Sequence, residues 1–294
     1  MKATLTLDAQ ALLGEGAWWH MSTRRLFWVD IEGKKLHLFR PNDGSARTVE
    51  VGERIGTVVL AGADRALVAL QTGIFELNLT DESLTLITNP LEGLPDIRFN
   101  DGKCDPAGRL WVGSMHLSVK AGAGALYCLD TDGTVEQVRD NITISNGIVW
   151  SLDHQTMYYI DTPTYCVQAF DYDIDTGRIK CPRTVVNIPE DMGCPDGMTI
   201  DEEGMLWVAH WGGGRVVRWN PDTGEPLLKI DVPAPLVTSC AFGGDDLRTL
   251  YITTARTDLS EEQRAAYPHS GGLFSVKPGV TGVAPYLFGQ SSVR

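Results

Sequence analysis

Four short motifs place an oxygen-bearing side chain beside glycine: Gly14-Glu15-Gly16, Asn100-Asp101-Gly102, Asn146-Gly147 and Pro195-Asp196-Gly197. Two carboxylates and two amides form a donor set for a hard divalent cation, provided the chain brings them together. Two carboxylates held close without a cation would repel and raise a pKa, and a cation removes that cost. Taken singly, each motif is also an ordinary turn dipeptide. Whether they form a site depends on the elements that carry them.

Those elements repeat. A strand built around an apolar-aromatic core recurs at Leu26-Phe27-Trp28-Val29, Leu67-Val68-Ala69-Leu70, Leu110-Trp111-Val112-Gly113, Met157-Tyr158-Tyr159-Ile160, Leu206-Trp207-Val208-Ala209 and Leu250-Tyr251-Ile252-Thr253, at spacings of 41 to 49 residues. An alternating strand follows each copy, and most copies end in an Asp-Gly or Thr-Gly turn, as at Asp132-Gly133, Asp175-Thr176-Gly177 and Asp222-Thr223-Gly224. Such a period with several short strands in it predicts propeller blades. Six periods account for the chain, so the expected fold is an all-β, six-bladed β-propeller with a central metal site, in one domain spanning residues 1–294. Blades should end near Gly52, Thr88, Asp140, Ile188 and Val232. The last blade has strands near 238–243, 249–254 and 272–276. Its fourth strand is either Ala284–Phe288 or Ala3–Leu7, and the latter would close the ring and remove a free edge.

Blades are radial, so the first strand of each lines the channel. Counting back ten or eleven residues from each aromatic strand reaches Glu15, Gly56, Asn100, Asn146, Asp196 and Ser239. Equivalent phase puts these residues at one end of the channel, and four of the six are the oxygen donors above. The histidines at 20, 116 and 210 fall at other phases and read as packing or surface residues. Trp28, Trp111 and Trp207 read as packing between blades, whereas Trp18, Trp19 and Trp211 lie nearer strand ends, where they could line a pocket. The run Asp171-Tyr172-Asp173-Ile174-Asp175 lacks the glycine and terminal glutamate of a calcium loop and reads as a strand end with a turn.

Composition narrows the function. Thirty-eight acidic against 25 basic residues give a formal charge of −13, which disfavours nucleic acid and anionic membranes as partners. The opening residues lack the apolar run of a signal peptide. Six cysteines without a C-x-x-C pair suit reduced thiols in a cytoplasm. A cytoplasmic protein is therefore expected, with a monomer or weak homo-oligomer as the assembly to anticipate. No nucleophile elbow, phosphate loop or dinucleotide fingerprint is present.

The motifs Leu13-Gly14-Glu15-Gly16, Arg98-Phe99-Asn100-Asp101-Gly102-Lys103, Asp105-Pro106-Ala107-Gly108-Arg109, Ser145-Asn146-Gly147, Ser151-Leu152-Asp153-His154, Pro195-Asp196-Gly197 and Thr238-Ser239-Cys240 resemble the regucalcin (senescence marker protein)/gluconolactonase family in order and spacing. The resemblance implies one divalent metal held by Glu15, Asn146 and Asp196, with Ca²⁺ and Zn²⁺ ranked ahead of Mn²⁺, Mg²⁺ and Fe²⁺. It also implies that Arg98, Asn100 and Asp101 contact the substrate, a small-molecule sugar lactone. The expected activity is metal-assisted hydrolysis of that lactone, with Asp196 also serving as the catalytic base. Two alternatives stand beside it: a phosphotriester or ester hydrolase of the same metal-propeller type, and a calcium-binding regulator. The chain departs from the family pattern at Ala17, where proline is common, and in the Gly- and Ala-rich stretch 115–124, where Lys120 stands in place of an acidic residue.

Overall fold

The computed structural model describes residues 1–291. Twenty-four strands form six four-stranded antiparallel sheets. The innermost strands are Gly14–His20, Ile55–Leu60, Ile97–Cys104, Ser145–Trp150, Cys194–Ile200 and Val237–Gly243. They are buried along almost their whole length, because each packs between the innermost strands of the two flanking blades and only its free edge borders the channel. The aromatic strands come second in each blade and the alternating strands third, in the order expected. The outermost strands of the first five blades end at Glu50, Thr88, Ile142, Asn187 and Asp231, within two residues of the predicted boundaries. Each is largely exposed and mixes polar with apolar residues, while the innermost strands are buried and carry their polar residues near their first positions.

The sixth blade combines both ends of the chain. Val237–Gly243, Thr249–Thr254 and Leu273–Val276 are joined by Thr4–Leu7, which pairs antiparallel with Leu273–Val276 (Thr4 opposite Ser275, Leu5 opposite Phe274). The N-terminal segment therefore closes the ring. The rival segment, Ala284–Phe288, adds no strand. It crosses the base of the propeller, with the Val283 N–H donating to the Ile200 carbonyl (3.3 Å) and the Phe288 N–H to the Leu60 carbonyl (2.8 Å). With Trp18, Lys103, Trp150 and Phe242 it encloses a small cavity of about 40 Å³ at that end of the channel.

Trp28, Trp111 and Trp207 are buried among the blades. Two of them anchor a repeated hairpin: Trp111 Nε1 donates to Asp105 Oδ2 (3.0 Å) and Trp207 Nε1 to Asp201 Oδ2 (2.8 Å), six residues earlier in each case. The same aspartates accept backbone N–H groups of their own turns, from Ala107 and Arg109 and from Glu203 and Met205. The tryptophans thus bury their rings without stranding a donor. Asp171 ends a strand and pairs with Arg183 (2.8 Å), while Asp173 closes the following turn, so that acidic run is structural. Among the described residues all six cysteines are free thiols, and no helix is long and apolar enough to cross a membrane.

Candidate active site

Every innermost strand breaks register with its neighbour near its first residues. The irregularities fall between Glu15 and Trp18, Ile55 and Thr57, Phe99 and Gly102, Asn146 and Ile148, Pro195 and Met198, and Val237 and Ser239. A bulge re-aims side chains out of the regular alternation. Repeated six times at one level, it turns a ring of residues toward the axis.

The result is a cup of about 690 Å³ at this end of the channel. Glu15, Arg98, Asn100, Asn146 and Asp196 all line it. Glu15, Asn100, Asn146 and Asp196 converge as the repeat phase required, and Arg98 joins them. Gly56 supplies no donor because there is no room for one: a Cβ there would lie 2.6 Å from the Asn100 carbonyl oxygen, so blade two can approach blade three only through glycine. Ser239 is buried but does not line the cup. Asp101 also does not line it; its carboxylate accepts the Gly102 N–H (2.8 Å) and sits in the field of Lys103. His20, His116 and His210 stay outside the cup. Of the three strand-end tryptophans Trp211 lines it, whereas Trp18 faces the far cavity and Trp19 stacks on Tyr251.

A directional chain of hydrogen bonds fixes the polar residues across three blades. Arg98 Nη1 donates to the Phe99 carbonyl (2.9 Å) and to Asn100 Oδ1 (2.6 Å). Asn100 Nδ2 donates to the Ser145 carbonyl (2.7 Å) and to Asn146 Oδ1 (3.3 Å). Asn146 Nδ2 donates to Thr162 Oγ1 (2.8 Å), which in turn donates to the Pro195 carbonyl (2.8 Å). Both amide nitrogens are thereby engaged in protein bonds, which sets the orientation of each amide.

The acids are less well satisfied. Glu15 Oε2 accepts the Gly16 N–H (2.9 Å), the Glu15 and Asp196 carboxyls interact with each other, and Asp196 Oδ1 is buried without a hydrogen-bond partner among the described residues. Burial, and then the neighbouring Asp101, push the Glu15 carboxyl up to about 8. Burial and then Glu15 hold Asp196 well above the usual carboxylate range. Burial also lowers Arg98 to about 10, against the pull of Glu32 and Glu15. Lys103 reaches across the channel, where its Nζ donates to the Met198 carbonyl (2.5 Å). Near the axis, then, three buried acids (Glu15, Asp101, Asp196) gather with Arg98 and the half-buried Lys103.

This arrangement suits a divalent cation. An unpartnered buried carboxyl oxygen, a second carboxyl beside it and an amide oxygen offer oxygen donors alone, and a dication there would take the place of the protons that burial keeps on the two acids. Among the described residues no three His, Cys, Asp or Glu side chains form a metal cluster, since this set relies on asparagine as its third member.

Several lining residues were not visible as a set in the sequence. Glu32 and Arg54 form an ion pair at the rim (Nε to Oε1 2.9 Å, to Oε2 3.1 Å). Thr162 begins a short 3₁₀ turn, Thr162–Thr164, after the second strand of blade four. The Asp-Thr-Pro-Thr sequence there is a recognisable turn start, because proline is favoured in a first helical turn. Met115, Leu117, Val119, Ile144, Thr257 and Asp258 complete the wall with Leu12, Leu13, Cys194 and Trp211.

Fold and site together define a six-bladed propeller with an acidic, oxygen-donor cup on its axis. The chain belongs to the SMP-30/gluconolactonase/LRE-like family, whose model matches residues 13–256. It is 41% identical over 288 residues to a Bacillus subtilis (strain 168) protein named as a sugar lactone lactonase, YvrE, covering 98% of this chain and 99% of that one. It is 39% identical over 282 residues to regucalcin of Xenopus laevis, covering 94% of each. Its fold matches a crystal structure described as that of a calcium-binding protein, regucalcin, from Agrobacterium tumefaciens, with a TM-score of 0.94, 28% identity and coverage of 99% and 98%.

Proposed function

We propose that this protein is a divalent-metal-dependent lactonase that opens a sugar (aldono-) lactone such as gluconolactone to the aldonic acid. The observation that carries this reading is the buried, unpartnered Asp196 Oδ1 beside Glu15 in a cup lined by Arg98 and Asn100. The name of the Bacillus relative agrees with it, and the calcium-binding description of the Agrobacterium structure supports Ca²⁺ as the first metal to test.

Glu15, Asn146 and Asp196 would hold the metal, with Thr162 fixing the Asn146 amide. When bound, the metal supplies a Lewis acid that polarises the lactone carbonyl and acidifies water. Asp196 takes a proton from the attacking water as its oxygen adds to the carbonyl carbon. The ring C–O bond then breaks, and the departing alkoxide recovers that proton to give the hydroxy acid. Arg98 and Asn100 hold the ring hydroxyls, so the carbonyl is presented in one orientation. Asp101 serves from below, balancing Lys103 beneath the floor.

The test is acid release from D-glucono-1,5-lactone and a panel of pentonolactones, using chelated protein and each metal added back. Metal-dependent release is expected. Asp196→Asn should lower it by about 10²–10⁴-fold, the usual contribution of a general base. Near-native turnover by that variant with metal bound would refute the role given to Asp196. Turnover of phosphotriesters but not lactones would move the assignment to the ester-hydrolase alternative.

A further inference from the structure

One guanidinium in the cup has no counter-ion of its own. Arg98 is 7% exposed and forms no ion pair among the described residues. Its two hydrogen bonds go to neutral acceptors, the Phe99 carbonyl and Asn100 Oδ1, and both start from Nη1. Nε and Nη2 make no bond to the protein among the described residues, and both stay open to the cup that Arg98 lines. In a planar guanidinium Nε–H and the neighbouring Nη2–H point the same way. They are the pair of donors that grips a carboxylate through two parallel bonds.

The surrounding charges do not supply that carboxylate. Glu32 exerts the strongest pull on Arg98 of any acid, but both its oxygens are held by Arg54 Nε (2.9 and 3.1 Å). Two guanidiniums therefore share one rim carboxylate. Glu15 and Asp196 add no net charge, since they sum to zero whether they keep two protons or exchange both for one dication. Asp101 and Lys103 offset each other under the floor. Asp258, the remaining acid of the lining, is exposed and screened by water. The interior thus carries one surplus positive charge. It sits on Arg98, which burial lowers only to about 10, so it stays protonated at neutral pH. A buried charge is costly until an opposite charge reaches it, and here the ligand has to bring that charge.

We propose that the preferred substrates are sugar lactones carrying a carboxylate beyond the ring, the lactones of sugar diacids, with that carboxylate gripped by Nε and Nη2 of Arg98. This rests on the lactonase reading above and narrows it to one class. A neutral aldonolactone sets a hydroxyl on the same fork and leaves the guanidinium charge unpaired. One carboxylate matches the single surplus charge, whereas a phosphate brings roughly two negative charges.

The experiment compares D-glucaro-1,4-lactone with D-glucono-1,4-lactone, which differ only in bearing a carboxylate or a hydroxymethyl group at the last carbon. kcat/KM is measured for both with metal-loaded wild type, and the new charged hydrogen bonds should favour the glucarolactone by about 10–100-fold. Arg98→Gln keeps a donor for the Phe99 carbonyl but no charge, and should bring the ratio below about threefold. Arg98→Lys, charged but without the fork, should lie between. A second readout needs no turnover. In chelator, titration calorimetry should show D-glucuronate binding wild type at least about tenfold tighter than D-glucose, with no such gap in Arg98→Gln. Both wild-type measurements decide the matter if that variant fails to fold. A ratio near one in wild type, with gluconolactone still opened, overturns the carboxylate inference and leaves the lactonase reading intact. An unchanged ratio in folded Arg98→Gln overturns it too, as does equal binding of glucuronate and glucose. Failure to open any lactone with any metal removes the lactonase reading itself, and the substrate inference with it.

Discussion

Replacing Glu15 with glutamine should make the metal-free protein more stable, and increasingly so as the pH rises. The Glu15 carboxyl lies at about 8 in the folded protein against an ordinary 4.5, raised first by burial and then by Asp101. The folded state therefore holds this proton more tightly than the unfolded chain does. Its stabilising contribution is fully present below about pH 4.5 and is lost as the pH rises through 8. At pH 9 the wild type carries a buried charge that glutamine lacks. Glutamine keeps the shape and can still accept the Gly16 N–H. The interval between 4.5 and about 8 sets a ceiling of about 5 kcal/mol. Asp196 shares the same electrostatic burden, so about 2 kcal/mol is the expected gain at pH 9, falling toward zero at pH 5. That corresponds to roughly 3 °C in Tm for a chain of 294 residues. The assay is thermal or urea unfolding of both proteins in chelator at pH 5, 7 and 9. Saturating Ca²⁺ should then reverse the order, because only the wild type retains both carboxylates; at a hundred times Kd the ligand adds about 2.7 kcal/mol. A variant that is less stable than wild type at pH 9 in chelator, or a gap that does not change with pH, would refute the electrostatic account of the cup.

Two further outcomes follow from the geometry. Thr162→Val removes the hydroxyl between Asn146 Nδ2 and the Pro195 carbonyl, so metal affinity measured by titration calorimetry should fall about 10–100-fold, and Thr162→Ser should restore most of it. Removing residues 1–7 strips the closing strand and leaves Leu273–Val276 as an open edge. That protein should lose several degrees in Tm and aggregate on heating, whereas Thr4–Leu7 added as a separate peptide should recover part of the loss.

The fold was legible because one period, repeated six times, carries both the strand pattern and the ring phase. The phase reached Glu15, Asn100, Asn146 and Asp196, since bulges recur at equivalent positions in all six innermost strands. It could not show that Asp101 turns away from the cup while its neighbour Asn100 turns in, because the bulge leaves both residues unpaired and backbone geometry decides between them. Thr162, Glu32 and Arg54 lie in connections, whose paths are set by tertiary packing rather than by a period. The last blade remained open between two closing strands. Both candidate segments are short and apolar, and only the Ala284–Phe288 contacts with blades two and five, the latter through neighbouring Val283, show where that one lies.

A ring joined by one strand from each end has a consequence for how the molecule is made. Thr4 and Ser275 are partners separated by 271 residues, so their pairing must await synthesis of nearly the entire chain. The blades one to five can begin to form as they emerge, since each is built from consecutive segments. The first strand of the protein has to wait, unpaired, for the last. Ring closure is therefore the late, slow step, set by the entropy of bringing distant ends together. Until it occurs the nascent propeller presents two raw edges, Thr4–Leu7 and Leu273–Val276, each able to pair with the complementary edge of another copy.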